Sequence, residues 1–211
     1  MALALTLGQR GSGNVWPNPA VGCVLVRNGR IVGRGWTQPG GTPHAEVVAL
    51  QQAGKKAFGA TAYVTLEPCA HTGKTGPCVD ALVTAGIVRC VIATQDTDPR
   101  VAGKGADSLR LAGVEVSEGC LEMQAEAAHY GFFKRISCGS PRISLKLALS
   151  LDGRIATKTG ESQWITGLEA RRDVHVLRSC HDAVLVGGGT ARADDPALTV
   201  RGLGQTSQPV R

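Results

Sequence analysis

Two short stretches, TPHAEVVAL at 42–50 and LEPCAHTGKTGPC at 66–78, bring together a histidine, a glutamate and two cysteines, and a proline directly precedes each of His44, Cys69 and Cys78. In a regular helix His44 and Glu46, two residues apart, would point to different sides. They converge only where a helix begins and its first residue keeps entry geometry, a placement that Pro43 favours. Pro68 and Pro77 repeat the device before Cys69 and Cys78. His44 and Cys78 open predicted helices, where the positive end of the dipole steadies negative charge. One imidazole and two thiolates suit zinc, and three protein ligands leave its fourth position to water. Glu46 is then a neighbour of the metal rather than a ligand, where a general acid/base must stand. The bland alternative, two buried cysteines and a surface His-Glu pair, leaves the three prolines unexplained.

The general signature of zinc deaminases is H-x-E followed by P-C-x-x-C. His44-Ala45-Glu46 matches its first half, whereas eight residues separate Cys69 from Cys78 in the second. The expected chemistry is hydrolytic deamination. Zinc lowers the pKa of a water toward ~7, the water adds to an amidine-like ring carbon, and Glu46 shuttles its proton to the ring nitrogen and then to departing ammonia. An aminopyrimidine or related heterocycle is the natural substrate.

Composition narrows the partners. The 211 residues are 43% hydrophobic and 19% charged, enough to bury a core, with a net charge of +6. A basic balance suits nucleic acid or a phosphorylated small molecule, but aromatics at 4% make stacking platforms thin. We expect a phosphorylated metabolite and no nucleic acid. No stretch approaches about 18 apolar residues, so no membrane span is expected, and the opening MALALTLGQR reads as no signal peptide. Seven cysteines, an odd number, point to a reducing cytoplasm where paired thiols mean metal or catalysis. Cys23, Cys90 and Cys180 lie in or beside apolar runs and read as buried hydrophobes. Whether the chain forms a homo-oligomer stays open.

The elements that must position the cluster follow from periodicity. Residues 2–10 read as a short helix and 21–36 as a hairpin turning at Asn28-Gly29, the pair that favours a type I′ turn. Helices are predicted at 45–54, 78–86, 106–113 and 121–136, and strands at 60–66, 88–94 and from 114. The alternation argues an α/β sandwich built on crossover units. The turn-rich SCGSP at 137–141 marks a boundary between a first domain at 1–138 and a second at 142–211. The second starts again with a predicted strand at 142–153, a helix at about 168–179 and a strand at 183–186. So few elements make a poor stand-alone core, and the unit looks cut short. GGGT at 187–190 could cradle a phosphate through backbone amides. It is not G-x-G-x-x-G, so no Rossmann fold is expected.

WPNPAVGCVLV, PHAE and TLEPCAHTGKTGPC, then SLDGRIA, GESQWIT and ADDPALTVR beyond the boundary, resemble the bifunctional riboflavin biosynthesis deaminase/reductase along nearly the whole chain. The insert between the cysteines is characteristic of that group. The resemblance implies a cytidine-deaminase-like three-layer α/β/α sandwich followed by an incomplete dihydrofolate-reductase-like α/β domain. It implies zinc-dependent deamination of 2,5-diamino-6-ribosylamino-4(3H)-pyrimidinone 5′-phosphate by the first half and NADPH-dependent reduction of the ribosyl chain by the second. It further implies that His44, Cys69 and Cys78 bind zinc, Glu46 moves protons, and Asn18, His71 and Lys74 contact substrate. In the second unit Ala148, Trp164, Thr190 and Asp194 match cofactor positions, and Ser162, Arg178, Leu198 and Arg201 match substrate positions. Two residues depart from the pattern: Thr37 stands where relatives often have His, and Gly76 where they often have Pro. Family reductase domains also run well past residue 211, so the chain as it stands is expected to deaminate without reducing.

Two rivals remain at this stage. A nucleic-acid (tRNA adenosine) deaminase would share the zinc core but not the long inter-cysteine loop or the appended unit. A structural-zinc scaffold would use four protein ligands, with His71 as the fourth and no task for Glu46.

Overall fold

The computed structural model describes residues 1–71, 76–98, 102–204 and 207–211 and divides into two compact units, Met1–Arg142 and Ile143–Arg211. The first unit opens with α1 (Ala2–Gly8) and a hairpin of β1 (Gly22–Arg27) and β2 (Arg30–Trp36). Asn28 and Gly29 take φ values of 49° and 71°, the two left-handed residues a type I′ turn demands. There follow α2 (Ala45–Ala53), β3 (Thr61–Val64), α3 (Cys78–Thr84), β4 (Arg89–Ile92), α4 (Lys104–Leu111), β5 (Glu115–Ser117) and α5 (Glu122–Cys138). The sheet order is β2-β1-β3-β4-β5. β1 runs antiparallel to both neighbours, while β3, β4 and β5 are parallel, with α3 and α4 as crossovers.

Side-chain alternation sorts the layers. Cys23, Leu25, Ala62, Val64, Cys90 and Ile92 share one core cluster with Ala45 and Ala49 of α2, Leu82 of α3 and Leu109 of α4. The alternate residues Val24 and Tyr63 pack instead with Ala4 and Leu7 of α1. Leu25, Leu82, Ile92 and Leu109 are fully buried, each contributing about 1.5–3 kcal/mol of transfer free energy. One close approach seats α2. A Cβ on Gly35 would stand 2.0 Å from the Ala45 carbonyl oxygen, so only glycine lets the start of α2 lie so near β2. That start carries the histidine and glutamate.

The second unit contains α6 (Leu168–Ser179), as expected, and α7 (Gly188–Asp194). Three expectations are corrected here. Residues 143–151 form no strand, and Ile143, Leu145, Leu147 and Leu151 are exposed. The strand expected at 183–186 shrinks to a single bridge between Ala183 and Val210. Cys180, expected as a buried hydrophobe, is exposed, because the apolar run beside it finds little to pack against. The alternating apolar pattern at 143–151 is that of a strand, but a strand exists only against neighbours. Among the described residues of this unit none supplies them.

Candidate active site

His44 is the N-cap of α2, in extended conformation, and Glu46 lies in the first turn. Pro77 caps α3, which makes Cys78 its first residue. Cys69 sits in the loop after β3. His44 Nδ1 lies 3.2 Å from Cys78 Sγ and 3.7 Å from Cys69 Sγ, and the three donor atoms fall within 4.8 Å of one another. Bonds of ~2.0–2.3 Å to a tetrahedral zinc would place such donors about 3.5–3.8 Å apart. The group fits that ion. Among the described residues His44, Cys69 and Cys78 alone form such a group, and His71 is not a member of it.

Cys69 is lowered to about 4, first by the hydrogen bond it accepts from the Cys78 thiol and then by that with His44, against burial. The Cys78 amide at the start of α3 adds a further bond to Cys69 Sγ at 3.3 Å. Cys78, as the donor and buried, is pushed up. His44 is raised by its bond to Cys69. Glu46, only 3% exposed, is raised above the usual carboxyl range because burial disfavours its charge.

Beside the group lies a cavity of about 320 Å³ whose lining includes Asn18, Thr37, His44, Glu46, Glu67, Cys69, His71, Asp96, Asp98 and Arg135. Asn18 Nδ2 donates to the Gly41 carbonyl at 2.7 Å and stands 3.3 Å from His44 Nε2. His71 Nδ1 is buried with no hydrogen-bond partner among the described residues. Lys74 lies outside the described residues. Among the described residues nothing lies within 4 Å of a Cβ built on Gly76.

Several cavity residues escaped sequence reasoning. Glu67, Asp96, Asp98 and Arg135 carry no motif signal of their own, although Glu67 stands in the quoted EPC. Thr37 is buried at 1% exposure; its hydroxyl accepts from the Val21 amide at 3.0 Å and its own amide donates to the Val21 carbonyl at 3.0 Å. Asp96 is raised to about 6, first by burial.

In the second unit Arg178 Nη1 donates to the Thr199 carbonyl at 3.1 Å, beside Leu198. His175 Nδ1 accepts from the Arg201 amide at 3.2 Å. Arg178 is pushed down by burial and by the Arg201 charge. Trp164 is exposed, with the Arg171 guanidinium 4.2 Å from its ring centre. Ser162 and Ala148 lie in segments outside helix and strand, and Thr190 and Asp194 lie one turn apart on α7.

A family model described as the cytidine and deoxycytidylate deaminase zinc-binding region matches residues 1–94, and one described as the RibD C-terminal domain matches 141–211. The riboflavin biosynthesis protein RibD of Escherichia coli (strain K12) is 57% identical over 201 residues, 95% of this chain. This chain belongs to the RibD family. RibD of Aquifex aeolicus (strain VF5) is 52% identical over all 211 residues. The solved RibD-type deaminase/reductase of Thermotoga maritima superposes with a TM-score of 0.93 at 44% identity over 100% of the chain. The expected fold class holds: a cytidine-deaminase-like first unit carrying a deaminase zinc-binding region, then the reductase-type C-terminal domain of RibD. The chain spans 55% and 59% of those two curated RibD proteins and 60% of the solved one. No helix among the described residues is long and apolar enough to cross a membrane.

Proposed function

We propose that the first unit is a zinc-dependent deaminase that hydrolyses 2,5-diamino-6-ribosylamino-4(3H)-pyrimidinone 5′-phosphate, a step of riboflavin biosynthesis. One observation carries the reading: a buried carboxyl with a raised pKa, Glu46, beside a three-donor metal group in the lining of a cavity of ligand size. Zinc held by His44, Cys69 and Cys78 would supply a water acid enough to give up its proton near neutral pH. Glu46 would take that proton and pass it to the ring nitrogen as the hydroxide adds to the amine-bearing carbon, then carry the added hydroxyl's remaining proton to the amine, so that the C–N bond breaks and ammonia leaves. His71 Nδ1 and Asn18 orient the ring, and Lys74 meets the phosphate.

In the longer RibD proteins the second domain would reduce the ribosyl chain with NADPH. Ala148, Trp164, Thr190 and Asp194 would hold the cofactor, and Ser162, Arg178, Leu198 and Arg201 the substrate. Two neighbouring guanidinium groups, Arg178 and Arg201, suit a phosphate. Seven free cysteines suit a reducing cytoplasm.

The test is ammonia release by the zinc-loaded chain from a panel of aminopyrimidine phosphates, nucleosides and tRNA. Turnover of the named phosphate supports the reading, and preference for tRNA with steep salt dependence would replace it. Glu46→Gln should keep its zinc yet lose about 10²–10⁴-fold in kcat. Unchanged turnover in that variant would return the metal to a structural role.

A further inference from the structure

We propose that Arg135, in the lining of the cavity, is a further cation besides Lys74 that receives the substrate's 5′-phosphate and so sets a preference for phosphorylated over unphosphorylated aminopyrimidines. This rests on the deaminase reading above. Four carboxyls line the cavity, those of Glu46, Glu67, Asp96 and Asp98, while Arg135 is the one Lys or Arg among the described lining residues. A phosphate dianion entering so acidic a lining is repelled unless a cation meets it. Arg135 stands in the last turn of α5 and is fixed there by two contacts. Its Nη2 donates to the Pro17 carbonyl at 2.6 Å, and its Cζ lies 5.4 Å from the Phe132 ring centre. A guanidinium has five N–H donors in a rigid fork, so one bond to Pro17 leaves donors for phosphate oxygens. The Pro17 carbonyl belongs to the segment that carries Asn18, so the cation sits beside the group proposed to orient the ring. A pyrimidine held near Glu46 would then point its ribose phosphate toward the rim.

Arg135 could instead act only by steadying the Pro17 segment, and the test separates the two roles. In the zinc-loaded chain, kcat/KM is measured for the 5′-phosphate and for the same compound without phosphate, in wild type, Arg135→Gln and Arg135→Lys, with zinc content and circular dichroism confirming the fold. The ratio of the two values should fall about 10- to 100-fold in Arg135→Gln, the scale of one charge-assisted hydrogen bond. Lysine should recover part of it. Equal losses for both compounds, or no loss, overturn the proposal. Calorimetric binding of ribose 5-phosphate gives an arm independent of turnover. If wild type releases no ammonia from either compound, the deaminase reading fails, and the loss or persistence of ribose 5-phosphate binding in Arg135→Gln still decides the role of Arg135.

Discussion

Glu67 is buried at 4% exposure and surrounded by amides. Its Oε1 accepts from Gly105 and Ala106 at 2.8 and 3.0 Å, and its Oε2 from Asp96 and Gly103 at 3.2 and 3.0 Å. These bonds tie the loop before Cys69 to the start of α4, so Glu67 acts on the metal group by position. Glu67→Gln preserves the shape but turns one acceptor oxygen into an NH₂ that must face N–H donors. We expect a loss on the order of 3 kcal/mol in urea unfolding together with weaker zinc retention. An unchanged midpoint would show that the amides find other partners. This residue also marks where reading the sequence stops. His44, Cys69 and Cys78 are legible because metal chemistry admits few residue types and their prolines fix the entry geometry. Glu67 finds its partners 29 to 39 residues along the chain, and nothing local distinguishes it from a solvated carboxylate. Thr37 was legible only as a departure from its relatives. Its hydroxyl in fact staples the segment leading from Asn18 to the end of β2.

Helix α5 shows a different limit at the scale of elements. Its extent follows from composition, but not which residue it turns inward. His129 is buried at 2% exposure, with Nε2 3.2 Å from the Thr65 hydroxyl, which already accepts the Gly22 amide at 3.0 Å. The hydroxyl can therefore donate to an unprotonated ring. Burial lowers His129 to about 4 from 6.5, so the fold holds the ring neutral. Its contribution to stability is complete above pH 6.5 and is lost as pH falls toward 4, because the unfolded chain takes up the proton first. By pH 4.5 the loss should reach about 2–3 kcal/mol. Urea unfolding of zinc-stripped wild type and His129→Gln at pH 7.5 and 4.5 isolates the effect from the carboxylates common to both. Wild type should fall further by that amount, and parallel declines would remove His129 as the cause. The hairpin and the parallel crossovers were legible since turn chemistry and period-2 alternation are local. The layer each side chain joins follows from the same alternation.

At the scale of the whole molecule, the strand patterns at 143–151 and 183–186 are as regular as those of β1 and β3, yet the first forms no strand and the second keeps only the bridge between Ala183 and Val210. Among the described residues of the second unit only Val200 and Pro209 are buried, whereas Leu145, Leu151 and Leu185 are 83%, 108% and 95% exposed. A sheet's hydrogen bonds and apolar cover come from neighbouring strands, and the RibD relatives are far longer than this chain. Amides at 143–151 should therefore exchange with solvent almost unprotected, while those of β1, β3 and β4 exchange slowly. NADPH should not be consumed above background when deaminated substrate is added, because too little of the reductase site is framed. Every described residue lining the deaminase cavity precedes Ile143, so stopping the chain at Arg142 should leave zinc content and ammonia release unchanged. Slow exchange at 143–151 together with NADPH turnover would mean that these strands do find partners, a second copy of the chain being the nearest source. Sedimentation under the assay conditions would then show a dimer, and dilution below its dissociation constant would abolish reduction while sparing deamination.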